Sequence, residues 1–316
     1  MPDPLRFIAP IPPLRGDGKT WVSDVRRLET MGFDTVAVSH HITNGWQVGL
    51  LVATGFAAAS TSRLRVLSLV AQNELHHPAL LAKDIATIDA LSDGQVELGI
   101  GPGWLADDYT ALGLTLEPGR IRVARLAEAL EVIRRFFTTE TVQFAGDYCR
   151  VNEMQALPRC AQRPNPPILV GAGGPRMLDL AGRTADIVGI HAAMDGNRID
   201  RAPITDLTAA SIEAKIQRVR AAAADVGRPT PRLQFSCYHV RVTDAPERSV
   251  QRSSWAADVE AEMELVKDSP AMLVGTAAEC AQRLLEWRER FGITYWNLGS
   301  HVDAVALILD RLGSNV

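Results

Sequence analysis

Short apolar, β-branched runs alternate with longer helical segments along this chain, and that alternation constrains its fold more than any other feature. The runs fall at residues 5–9, 35–39, 64–70, 95–100, 167–170, 186–190, 233–242 and 293–298. Continuous apolar runs of this length read as strands buried on both faces, which is how parallel sheets are built. The helical segments between them carry start and stop signals. Pro78 opens the helix over 78–90, as proline does at a first helical turn. Thr276 and Glu279 form a capping box for the helix that runs to Arg290. Helices are also expected over 20–31, 47–59, 121–137 and 209–226. Eight strands alternating with helices fit a (β/α)8 TIM barrel better than an open doubly wound sheet, which would have fewer strands.

A bare barrel needs about 250 residues, so a chain of 316 carries about 66 more. Three places absorb them. Residues 141–151 alternate around Ala145, Gly146 and Asp147 and read as a hairpin. Residues 192–208 are polar and irregular, and loops of that length are uncommon unless functional. The third place lies between the seventh and eighth strands. With no linker or repeat visible, the expectation is a single domain over 1–316 with insertions in its βα loops.

Composition excludes several partners. A net charge of -4 without a basic tract gives no electrostatic footprint for nucleic acid. The most apolar stretch, 48–59, is too short to span a bilayer, so no membrane association is expected. No leader pattern is visible at the start. The four cysteines are far apart, with neither CxxC nor metal-type spacing, so free thiols and a cytoplasmic protein are expected.

A (β/α)8 barrel forms its active site at the C-terminal ends of its strands. Six of the seven histidines follow an expected strand: His40, His41, His76, His77, His191 and His301. Only His239 falls within one. Polar loops tolerate histidine for bland reasons, so two or three of the six are expected to serve a small-molecule site as hydrogen-bond or acid–base groups. Gly171, Ala172, Gly173 and Gly174 lie between a strand and a helix, where backbone N–H groups can cradle a phosphate with Arg176 adding charge. A tight turn without ligand is the alternative. Gly99-Ile100-Gly101-Pro102-Gly103-Trp104 has the wrong spacing for a dinucleotide fingerprint. No metal is expected, because His40-His41 and His76-His77 are adjacent pairs, and adjacent strand residues point to opposite sides.

Several segments resemble the luciferase-like monooxygenase superfamily, in particular its coenzyme F420 (deazaflavin)-dependent oxidoreductases. The most specific is "LLAKDIATIDALSDGQVELGIGPGW", preceded by His77-Pro78-Ala79 and followed by "DDYTALG". "MGFDTVAVSHH", "PPILVGAGGPRMLDLAGRTADIVGI" and "SPAMLVGTAAECAQRLLEWRERFGITY" follow the family's order over nearly the whole chain. The resemblance implies hydride transfer between F420 and a small organic substrate. It places the cofactor's phosphate tail at Gly171, Ala172, Gly173, Gly174 and Arg176. It also implies a bulge with a non-proline cis peptide around Ala71, Gln72 and Asn73, backing the cofactor ring. His41 matches the family's histidine after the second strand, with Asp108 a second catalytic candidate where the family usually has Glu. His40, Trp46, Trp104 and His191 are expected around the substrate. The family commonly has Asp-His where this chain has His40-His41. The resemblance further implies a homodimer. The alternatives are an FMN-dependent monooxygenase of the same superfamily and, in another class, a cofactor-free binding homologue.

Overall fold

The computed structural model describes residues 3–43, 45, 48–193, 205–244 and 265–313. Its frame is a closed barrel of eight parallel strands with helices between them. In chain order the first elements are β1 (Arg6–Pro10), α1 (Gly18–Thr30), β2 (Thr35–Val38), α2 (Leu50–Ser60), β3 (Arg65–Ser68), the short β4 (Ala71–Gln72), α3 (Pro78–Leu91) and β5 (Val96–Gly101). Then come α4 (Ala106–Ala111), α5 (Gly119–Thr138), β6 (Thr141–Ala145), β7 (Arg150–Gln155), β8 (Ile168–Ala172), α6 (Pro175–Thr184) and β9 (Ile187–Ile190). The chain continues through α7 (Ala209–Ala224), β10 (Arg232–Ser236), β11 (His239–Val242), β12 (Met272–Gly275), α8 (Ala277–Phe291), β13 (Ile293–Asn297) and α9 (Val302–Gly313).

Around the barrel the order is β1, β2, β3, β5, β8, β9, β10, β13. Val66 and Leu67 of β3 stand opposite Val96 and Glu97 of β5, and Arg6 of β1 stands opposite Tyr295 of β13, which closes the ring. The anticipated helix signals act as read. Pro78 occupies the first turn of α3, with His77 as its N-cap. Thr276 and Glu279 make both halves of the capping box at α8. The 141–151 hairpin is present as β6 and β7, and it extends to Gln155.

One strand differs from expectation. Residues 233–242 are two strands, because the chain turns out of the barrel at Cys237 and Tyr238. The Cys237 N–H still donates to Asn297 of the barrel, whereas the Tyr238 N–H donates to Ala271. β11 then pairs with β12 outside the ring, so His239 begins a peripheral strand. The apolar pattern runs through the turn without a break, so periodicity alone cannot reveal it. Most of the 192–208 stretch, and residues 245–264 between the seventh and eighth barrel strands, lie outside the described residues.

Strand alternation fills the interior in layers. Nearest the strand N-termini, Glu97 receives hydrogen bonds from Arg6 (2.9 Å), Arg65 (2.5 Å) and the Tyr295 hydroxyl (2.8 Å). Above them Ile8, Ala37, Leu67, Leu169 and Ile187 pack with Tyr295 into a closed apolar layer. Next come Gly171 and Gly189, which have no side chains to fill the barrel. The interior is therefore plugged at one end and open at the other.

Candidate active site

The open end holds a cavity of about 860 Å³, within the usual range for small-molecule and cofactor sites. Its walls come from residues at or just beyond the strand C-termini, joined by the first turn of α5. His40 and His41 follow β2, Trp104 follows β5, the glycine turn follows β8, and His191 follows β9. Three of the six strand-following histidines thus reach one cavity. His76 sits behind His40, with ring centroids 5.0 Å apart. His77 lines a separate small recess.

The two adjacent histidines have different partners. His40 Nδ1 accepts a hydrogen bond from the Gln72 N–H at 3.1 Å. Burial, reinforced by the neighbouring His76 and His41, pushes its pKa down to about 4. His40 is therefore a neutral acceptor near pH 7. His41 Nδ1 lies 2.7 Å from Asp108 Oδ2, and its ring meets Trp104 edge-on at 5.9 Å.

Asp108 sits on α4, the short helix directly after the fourth barrel strand, and is fully buried. Its Oδ1 accepts from the N–H groups of Ile42 (3.0 Å) and Thr43 (3.1 Å) and from the Thr43 hydroxyl (2.8 Å). Its Oδ2 accepts from Gln72 Nε2 at 2.8 Å as well as from His41. Despite the cost of burial, these hydrogen bonds hold its pKa far below the usual carboxylate range. Asp108 lies behind His41 and is not part of the cavity wall. Gln72 links both histidines, since its Nε2 also donates to the His40 carbonyl at 2.7 Å.

On the opposite wall, β8 ends in Gly171 and Ala172, and Gly174 caps α6 without a side chain. Gly171, Gly173, Gly174 and Arg176 line the cavity, while Ala172 is buried outside it. Gly173 has a packing reason to be glycine: a Cβ there would lie 2.3 Å from the Ala192 carbonyl oxygen. A Cβ on Gly174 would meet nothing within 4 Å. His191 Nδ1 donates to the Ala192 carbonyl at 2.7 Å, which leaves Nε2 toward Gly171. Desolvation in the cavity wall lowers its pKa and keeps it neutral. Lys215 fixes this edge by donating to the His191 carbonyl at 2.9 Å and to Asp206 at 2.5 Å.

Some anticipated positions fall elsewhere. Of Ala71, Gln72 and Asn73, only Gln72 reaches the main cavity; Ala71 is buried in the core and Asn73 lines the smaller recess. The non-proline cis peptide is at Leu69–Val70, ahead of the expected positions. These two side chains line the cavity instead. Trp46 lies outside the described residues. Sequence reasoning missed Arg120, Arg122 and Val123, which depend on how α5 packs, and also Gln234, Ser236 and Tyr238. Gln234 and Ser236 could have been found, because polar residues at alternate positions of a buried strand face the barrel interior. Gln234 Nε2 donates to Ser236 Oγ at 3.1 Å. Among the described residues, no three His, Cys, Asp or Glu side chains group to hold a metal ion. No described helix is long and apolar enough to cross a membrane.

Comparison with known proteins places this geometry. The fold is shared with the coenzyme F420 dependent tetrahydromethanopterin reductase from Methanopyrus kandleri (TM-score 0.77, 17% identity, 99% of both chains). It is also shared with a monooxygenase from Streptomyces bottropensis (TM-score 0.75, 22% identity, 99% of this chain and 98% of the other). In sequence, an F420-dependent glucose-6-phosphate dehydrogenase from Kineococcus radiotolerans is 35% identical over 164 residues, 50% of this chain and 48% of the relative. The chain thus spans about half the length of the curated relatives it matches. The model of the luciferase-like monooxygenase family matches residues 19–295, nearly the whole chain, and the chain belongs to that family.

Proposed function

We propose that this protein is a coenzyme F420-dependent oxidoreductase that moves hydride between the deazaflavin and a small organic substrate. The observation that carries the reading is the pairing, in one cavity, of an acid–base histidine on one wall with an unobstructed glycine turn at a helix N-terminus on the other. F420-dependent relatives support the choice of cofactor. The cavity fits such a group: Gly174 leaves room for a phosphate against the first turn of α6, with Arg176 and Arg120 at hand, and Gly171 and Gly189 keep the floor clear. When bound, the deazaflavin supplies the two-electron redox chemistry.

The chain's own residues hold, orient and exchange protons. His41 is the acid–base group at the substrate, and Asp108, Gln72 and the Ile42–Thr43 backbone fix its position. His40, Trp104 and His191 shape the substrate pocket. His191 is neutral, and Gln234 and Ser236 offer further neutral polar contacts. The reading takes the chain as one cytoplasmic barrel domain that forms a homodimer. For the dimer, α2 carries no charged residue and exposes Val52 and Phe56 on its outer side.

Titrating the purified protein with F420 and with FMN tests the reading. Saturable F420 binding is expected, with weaker or no FMN binding, and substrate oxidation or reduction that needs no oxygen. Tight binding of FMN alone with oxygen-dependent product would replace it with a flavin monooxygenase. Binding of neither would point to a cofactor-free binding homologue.

A further inference from the structure

We propose that Gln234 and Ser236 form a subsite at the cavity floor for an uncharged cis-amide edge, an N–H and a C=O side by side on a ring, as in a lactam or an imide. The proposal names what the oxidoreductase reading leaves open, the chemistry of the group seated deepest in the cavity. It rests on that reading only for which molecule brings the group.

Strand register fixes where the subsite lies. Gln234 of β10 stands opposite Gly189 of β9, and Gly189 stands opposite Gly171 of β8. Leu169 and Ile187, two residues earlier on β8 and β9, belong to the closed apolar layer beneath. A group that reaches Gln234 therefore goes no deeper. The glycine at 189 makes room for the amide, since a Cβ there would lie 2.9 Å from Gln234 Oε1.

Gln234 is only 3% exposed, yet one end of its amide is unused. Its Nε2 donates to Ser236 Oγ at 3.1 Å, whereas its Oε1 accepts no hydrogen bond among the described residues. Ser236 Oγ accepts from Gln234, and its own O–H is given to no acceptor among the described residues. Both residues line the cavity. A buried acceptor left without a donor is costly, and a ligand that brings the donor recovers that cost. The pair offers one acceptor and one donor on two atoms, with the amide nitrogen between them. A cis-amide edge is the complement: its N–H meets Gln234 Oε1 and its C=O receives the Ser236 hydroxyl. An ionised carboxylate has no hydrogen for Oε1 and would set its charge against that oxygen. Cations that suit anionic groups stand elsewhere, because Arg120 and Arg176 line the cavity from exposed positions in the first turns of α5 and α6. The cavity thus carries cations at its outer edge and neutral dipoles at its floor. Two sources can bring the edge: the imide of a deazaflavin's pyrimidine ring, or an amide of the substrate.

The test uses the whole chain without cofactor, with δ-valerolactam as the probe. δ-Valerolactone is the control, a ring of the same shape whose oxygen replaces the N–H. Binding is read by saturation transfer from protein to probe and by the shift of the Gln234 side-chain amide signal in ¹⁵N-labelled protein, assigned by its loss in Gln234→Met. The parent is expected to bind the lactam saturably, with that signal shifting, and to bind the lactone about tenfold or more weakly. Gln234→Met keeps the side chain's length and should bind the two rings within about threefold of each other. No lactam binding at Gln234, equal affinity of the parent for the two rings, or a lactam preference that survives in Gln234→Met overturns the proposal. Repeating the titration with F420 separates the sources. Displacement of the lactam by F420 assigns the subsite to the cofactor's imide, and joint binding assigns it to the substrate. Failure of F420 to bind would sink the cofactor reading and leave the comparison of lactam with lactone intact.

Discussion

His40 and His41 share a peptide bond but not a task, and the difference comes from their neighbours. The side chain of one receives a backbone N–H in a buried corner; that of the other gives its N–H to a carboxylate. His40 thus acts through its acceptor nitrogen. Its burial has a consequence for stability. The folded protein holds His40 down to about 4, whereas in the unfolded chain it titrates near 6.5. Between those values the unfolded state binds a proton that the folded state does not, so stability falls as the pH drops from 6.5 toward 4 and levels off below. His76 and His191, both partly buried, are shifted in the same direction. For His40 the loss amounts to ~3 kcal/mol at most. His40→Gln keeps an acceptor but cannot titrate, so its melting temperature should fall less than the parent's between pH 7 and pH 5. Parallel curves for the two proteins would refute this.

At the scale of elements, the glycine turn between β8 and α6 combines two requirements that the sequence cannot separate. Gly173 is needed because the chain leaving β9 passes against it; Gly174 is not crowded by anything in the protein. The two positions should therefore respond differently. Gly173→Ala forces Cβ onto the Ala192 carbonyl and is expected to lower the melting temperature, which makes it a poor probe of ligand binding. Gly174→Val should leave the melting temperature near the parent's and weaken F420 binding at least tenfold by filling the space at the α6 N-terminus. Unchanged F420 affinity in a folded Gly174→Val protein would remove the phosphate from this turn. The strand–helix alternation was readable because the barrel strands are short, mostly apolar and buried on both faces. The split of residues 233–242 was not, because Phe235, Tyr238 and Val240 continue the apolar pattern while the chain changes partners from β13 to β12.

For the molecule as a whole, the barrel has a floor, and the floor is charged. Glu97 is fully buried and is met by Arg6, Arg65 and the Tyr295 hydroxyl, drawn from three other strands. Its removal would leave the guanidinium groups of Arg6 and Arg65 close together at the plugged end of the barrel without their shared carboxylate. Breaking a buried ion pair from one side costs about 3–5 kcal/mol, so Glu97→Ala should unfold at markedly lower urea concentration than the parent. A midpoint shift equivalent to less than about 1 kcal/mol, the worth of an exposed pair, would show that the network is solvated.

The sequence by itself determined the barrel, its sidedness and the family, because these rest on local periodicity and on segments that stay in register along the chain. It also picked out His41, Asp108, Trp104, His191 and the glycine turn as a set. Only the tertiary structure decided how that set divides. Asp108 falls behind His41, Ala71 turns into the core, Asn73 faces a different recess, and Gln234 and Ser236 arrive from a strand far along the chain. Which atom of a side chain meets which neighbour depends on helix packing and on hydrogen bonds between residues tens to hundreds of positions apart, and no local pattern records those distances.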